Sequence, residues 1–205
     1  MPSAADILEG LSAIAQSWRT LALLWHAYIA CLVVAVLIGW RPTHRLAGAV
    51  LIAPLVSVSI LAWTVSNPFN GGLFGILAIV LAALLPILPA TPVRLASAPW
   101  LAIGALLVGF GWIYPHFLED SPSSVYLYAA PFGLIPCPTL SVAAGASIVF
   151  RGLGSRAWSG VLFAAALFYG VFGSLYLGVN IDWVLTAGAA GLLVLSLQLA
   201  SDDAA

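Results

Sequence analysis

The chain has 205 residues, 63% of them apolar and 6% charged, with a formal net charge of -1 and a mean hydropathy of +1.13. A soluble domain carries roughly a quarter charged residues, so this chain cannot cover a water-facing surface and reads as an all-α integral membrane protein whose first partner is the lipid bilayer. No basic stripe is present to neutralise phosphates, which excludes a nucleic-acid partner, and all six cationic residues are arginine, which excludes lysine Schiff-base chemistry. Two cysteines are too few for a disulfide framework or a four-ligand zinc site. The only methionine is Met1, which argues against a methionine ladder for Cu(I).

Residues 3–18 open the chain as an amphipathic helix. Ile7, Leu8, Leu11, Ile14, Ala15 and Trp18 share one face, and Asp6, Glu9, Ser12, Gln16 and Ser17 the other. Ser3 followed by Asp6 resembles a capping box. The helix is expected to lie in the membrane interface with Trp18 as its anchor. Residues 1–19 form this unit, residues 20–200 a transmembrane domain, and residues 201–205 an acidic cytoplasmic tail.

About seven spans of near 20 residues fit the transmembrane domain. They are read at 20–40, 46–64, 73–88, 99–114, 125–150, 158–178 and 183–200. A basic loop, Arg41-Pro42-Thr43-His44-Arg45, follows the first. Ser66 to Gly72, with Asn67-Pro68 and Gly71-Gly72, reads as a turn. The third span is short. Glu119 and Asp120 make the loop after span four acidic, and Asp182 falls in the loop after span six.

Arg41, Arg45, Arg94, Arg151 and Arg156 follow spans one, three and five, against Arg19 alone on the other side. This bias places the amino terminus outside and the carboxyl terminus in the cytoplasm. At about 1.5 Å per residue, Cys31 and Cys137 both fall roughly 16–18 Å from the outer boundary. His26 lies in the outer half of span one and is the only histidine within a span. An intramembrane ionisable group is a functional candidate by default. An outward-facing cavity lined by His26, His116, Tyr114 and Tyr126 with Cys137 at its floor is one reading; an ordinary aromatic belt is the other.

The oddest local chemistry is Pro136-Cys137-Pro138-Thr139 inside span five. Pro136 frees the carbonyl of Phe132, Pro138 that of Leu134, and Pro131 that of Leu127. Span five is therefore expected to be kinked or unwound around its middle, and because free carbonyls in lipid cost several kcal/mol each unless shielded, it should be central. A structural kink, a solute or cation site as in the broken helices of transporters, and a redox pair of Cys31 with Cys137 are the three readings. Cys137, His26 and His116 are the weak metal-ligand candidates, and His26 with His116 could approach as haem ligands.

The Cys-Pro pattern is similar, over a few residues, to the intramembrane motif of heavy-metal-pumping ATPases, but no nucleotide-binding domain accompanies it. Over nearly the whole chain the sequence resembles a family of small bacterial inner-membrane proteins of unknown function. The residues that carry this are Asn67-Pro68, Leu73-Phe74-Gly75, Tyr114-Pro115 and Gly133-Leu134-Ile135-Pro136-Cys137-Pro138-Thr139. That family tends to carry a second threonine where this chain has Leu140 and Ser141. The resemblance implies a fold and no activity or cofactor.

The functional expectation is a non-enzymatic protein with a small-solute or ion site at the fifth span, formed around Leu127, Phe132, Leu134, Pro136, Cys137, Pro138 and Thr139. The alternative is an accessory subunit, homo-oligomeric or bound to another membrane protein, docking through Gly104 and the Ala-Gly-Ala-Ala-Gly run at 187–191. The spans show no acid and no nucleophile–base pair, so an intramembrane enzyme is not expected.

Overall fold

The computed structural model describes residues 3–119 and 121–202, with side chains to residue 199. Asp120 and the end of the acidic tail, residues 203–205, lie outside the described residues. Helix α1 (Ala4–Ser17) starts at a complete capping box: the Ser3 hydroxyl accepts from the Asp6 N–H at 3.2 Å while the Asp6 carboxylate accepts from the Ser3 N–H at 2.8 Å. The middle of its apolar face meets protein, and Trp18 at its end stays exposed. Leu11, Ile14 and Ala15 are buried against Leu61, Tyr114, Phe117 and Ile135 at one end of the bundle.

Eight more helices follow: α2 (Arg19–Leu37), α3 (His44–Thr64), α4 (Pro68–Leu84), α5 (Ala98–Ile113), the single turn α6 (Tyr126–Ala129), α7 (Pro136–Val149), α8 (Arg156–Val171) and α9 (Trp183–Asp202). Five stretches are long and apolar enough to cross a membrane: Arg19–Leu37, His44–Thr64, Pro68–Ile87, Arg156–Tyr176 and Asn180–Leu199. The expected seven spans are therefore corrected to five. Helices α5 and α7 have 16 and 14 residues. They reach only about 24 and 21 Å at 1.5 Å per residue, short of a hydrocarbon core of about 30 Å.

The short third span is corrected in the opposite sense. Asn67 caps α4 by accepting from the Asn70 N–H at 3.1 Å, and Pro68 takes the first-turn position where a missing N–H costs nothing. The turn-like residues 68–72 thus belong to a helix of full spanning length.

Span five is not one kinked helix. The backbone leaves α6 at Ala130, runs irregularly to Ile135 and re-enters a helix at Pro136. Pro136 and Pro138 start α7 instead of bending a longer helix. Gly133 makes the turn at φ +74°, with a Trp25 ring packed where a Cβ would stand. Thr139 ties the turn down: its hydroxyl accepts from the Gly133 N–H at 2.9 Å and donates to the Ile135 carbonyl at 2.7 Å.

Helix α7 is nearly sheathed, with twelve of its fourteen residues buried, as a central position demands. It lies antiparallel to α5 at close range. A Cβ on Gly104 would stand 2.6 Å from the Gly145 carbonyl, and one on Gly111 would stand 2.5 Å from that of Pro138. In α9, Gly188 packs on Leu107 and Gly191 on Ile148. Of the small residues read as a docking stripe, Gly104, Gly188, Ala189 and Gly191 are taken up inside the bundle, while Ala187 and Ala190 stay exposed.

The loops at the far end from α1 are knitted together. His44 N–H donates to Thr91 O at 3.2 Å, Val93 N–H to Pro42 O at 2.8 Å, and Ala96 N–H to Val149 O at 2.8 Å. Arg41, Arg45, Arg94 and Arg151 all belong to this end. The Ser196 hydroxyl donates to the Arg156 carbonyl at 3.4 Å, which brings the end of α9 here too.

Candidate functional site

Under α1, the ends of five helices converge on one carboxylate. Asp182 directly precedes α9 and is 1% exposed. Tyr114, which terminates α5, donates its hydroxyl to Asp182 Oδ1 at 2.7 Å. Cys137, in the first turn of α7, donates its thiol to Asp182 Oδ2 at 3.1 Å. Tyr169 of α8 donates its hydroxyl to Asn70 Oδ1 at 3.1 Å, which joins the first turn of α4 to the group. Ile7 and Leu11 of α1 close it from above.

Local sequence explains each placement. Asp182 begins a helix, where acidic residues are favoured by the dipole. Its side chain leaves its own helix and turns to the amino-terminal end of α7, a second positive dipole end. Among the described residues the ion pair formed is His116–Glu119, 2.7 Å apart; no cationic side chain pairs with Asp182. Two neutral donors, Tyr114 and Cys137, thus hold the Asp182 carboxyl group inside an apolar bundle.

Helix α8 makes the room. It continues as a π-helical turn, Phe172–Tyr176, a distortion that recurs at functional sites. Gly173 within that turn faces Asp182 so closely that a Cβ would collide with Oδ2. Beside the carboxylate, a cavity of about 20 Å³ is lined by Asp182, Cys137, Tyr114, Asn70, Tyr169 and apolar neighbours. That volume holds about one water-sized molecule. Ser174 Oγ and Thr186 Oγ1 nearby are buried with no hydrogen-bond partner.

The structure gathers some of the residues singled out from sequence and scatters others. Cys137, Pro136 and Tyr114 line the cavity. His26 is buried elsewhere, with Nδ1 2.8 Å from the Ala22 carbonyl and Nε2 2.9 Å from the Trp112 carbonyl. A neutral imidazole carries one N–H, so only the doubly protonated ring donates to both. Either way both nitrogens face backbone oxygens, and the ring serves as a cap for the end of α5. His116 gives Nδ1 to Glu119. Burial opposes the Glu119 charge, but backbone N–H groups and His116 hold its carboxyl below the usual range. The Tyr126 hydroxyl accepts from the Leu118 N–H at 3.1 Å.

The break residues divide as well. The Leu127 carbonyl accepts from the Trp112 indole N–H at 2.8 Å. Phe132 and Leu134 are fully buried in the apolar core. Pro138 and Thr139 are buried in the first turn of α7. Cys31 is an exposed free thiol on α2, and Cys137 is free as well. Depth counting put them level because it assumed helix through residues 130–135, where the chain is irregular. No three His, Cys, Asp or Glu side chains among the described residues converge as a metal-binding group.

Sequence reading missed Asp182, Asn70, Tyr169 and Gly173. A lone acid between Ile181 and Trp183, directly before an apolar helix, was the available signal; it was assigned to an outer loop.

These features define a helical membrane-protein bundle with a buried carboxyl site at the end covered by α1. No family model, curated protein or solved structure matches the chain.

Proposed function

We propose that the protein is a polytopic membrane protein that binds, and by opening of α1 passes, a small solute or ion at the break before α7. The observation that carries this is Asp182, 1% exposed and without a cationic partner, beside a cavity of one-water size. Burying a carboxylate is costly unless charge or hydrogen bonds offset it, and acids in membrane domains mark ion and proton paths. One formal negative charge, surrounded by the oxygens of Tyr114 and Asn70 and the sulfur of Cys137, suits a single water-sized monocation. Hydrated Asp182 would bind it when α1 lifts; the closed cover excludes water and strengthens the attraction.

The finer placement is part of the same proposal. Five arginines at one end and α1 at the other support an inner-membrane protein with its amino terminus outside and its carboxyl terminus in the cytoplasm. Kinship to the inner-membrane family of unknown function rests on the Pro-Cys-Pro-Thr segment. The accessory-subunit reading is left with Ala187 and Ala190, which are exposed, since Gly104, Gly188 and Gly191 pack internally.

The test is thermal stability of the purified protein in Li⁺, Na⁺, K⁺ and NH₄⁺ chlorides against choline chloride at equal ionic strength. One of the four is expected to raise Tm in the native protein and not in Asp182→Asn. Equal Tm across the panel would sink the proposal.

A further inference from the structure

Opposite the covered site, a second and much larger space opens sideways between α2, α3, α5 and α7. It measures about 540 Å³ and is lined by apolar side chains with a single charged residue, Arg41, at its end. Ligand pockets commonly run about 300–1,000 Å³.

The cleft has a structural origin. Helix α2 is pinned only along its first half. The Trp25 indole donates to Ser57 Oγ at 3.1 Å, the Tyr28 hydroxyl donates to the Val50 carbonyl at 3.1 Å, and His26 meets Trp112. Beyond these contacts the second half stands away, with Leu37 78% exposed. Across the gap, α5 presents Ala105 and Gly109. A Cβ on Gly109 would meet nothing within 4 Å, so that helix face is bordered by open space.

The mouth is basic. Arg41 Nη1 donates to the carbonyls of Val36 and Trp40 at 2.7 and 2.9 Å, which fixes the guanidinium at the end of α2. The backbone bond from Val93 to Pro42 brings the Arg94 loop alongside. Trp40 lines the same end, the position where amphipathic rings meet lipid headgroups.

We propose that this cleft holds an acyl chain of an anionic phospholipid, with the headgroup phosphate on Arg41. The apolar wall suits the chain, the lateral opening between helices admits it from the bilayer, and the guanidinium fork suits a phosphate. The phospholipid holds the free half of α2 to α5 without touching Asp182, so the site at the other end does not depend on it.

The experiment is quantitative lipid retention after mild delipidation, followed by rebinding of phosphatidylglycerol, phosphatidylcholine and oleate. Native protein is expected to retain about one anionic phospholipid and to prefer phosphatidylglycerol at least tenfold. Arg41→Gln should remove the preference and leave chain binding. Gly109→Leu and, separately, Ala105→Leu fill the cleft and should lower retention of every lipid several-fold. Equal retention of phosphatidylglycerol and phosphatidylcholine by native protein, oleate binding as tight as phosphatidylglycerol, or full retention by both folded cleft-filling variants would overturn the proposal.

Discussion

Gly173→Ala is the most direct probe of how the fold makes room for Asp182. The added methyl would collide with Oδ2, and the three nearest atoms to it all belong to Asp182. Overpacking costs about 1–3 kcal/mol. A displaced carboxylate also loses Tyr114 or Cys137, at about 1.5–3 kcal/mol for a hydrogen bond to a charged group. Together these set a loss of about 2.5–6 kcal/mol. In an Asp182→Ala background the obstacle shrinks to the Cβ at 3.2 Å, and alanine's better helix propensity returns about 1 kcal/mol. The same substitution should then cost under about 1 kcal/mol. Equilibrium unfolding by SDS titration in mixed micelles, run on the four members of the cycle, should give a coupling of at least about 1.5 kcal/mol. Equal costs for Gly173→Ala in both backgrounds would refute the claim that this glycine exists for the carboxylate.

Further outcomes follow from single contacts. Tyr114→Phe removes the donor to Oδ1 and should cost about 1.5–3 kcal/mol in the same titration, whereas Cys137→Ser keeps a donor for Oδ2 and should cost less than Cys137→Ala. Thr186→Val replaces a buried hydroxyl that has no partner and should be neutral or stabilising by up to about 1 kcal/mol; a loss would show that the hydroxyl is used. Gly133→Ala faces both φ +74° and the Trp25 ring and should be among the most damaging single substitutions. The Ser3 hydroxyl and backbone N–H hold the exposed Asp6 carboxyl below its ordinary 3.8. A lowered carboxyl contributes stability above its unfolded value and loses it as pH falls through the folded one. Hydrogen exchange in the first turn of α1, corrected for intrinsic rate, should therefore quicken below about pH 3.8 in the native protein, show a smaller step in Ser3→Ala, which keeps the backbone N–H, and show none in Asp6→Asn.

Much of the architecture is legible in the residues themselves. With 63% apolar composition and six arginines, the chain reads as membrane helices, and the arginine spacing puts five of them at one end. Ser3 and Asp6 announce the start of α1 because capping is a local reaction between neighbours. The interruption before Cys137 follows from Pro131, Gly133, Pro136 and Pro138, since missing N–H groups break a helix wherever it lies. What the residues alone did not decide is which polar groups meet. These helices are apolar on every side, so no periodicity reports which face turns inward. Their rotations are set by close approach, Gly104 to Gly145 and Gly111 to Pro138, which is a property of pairs and not of either helix. That packing turns His26 to the carbonyl of Trp112 and brings Asp182 to Cys137 and Tyr114. It also places α1 over Asp182. The class of protein was written in composition; the site was made by register.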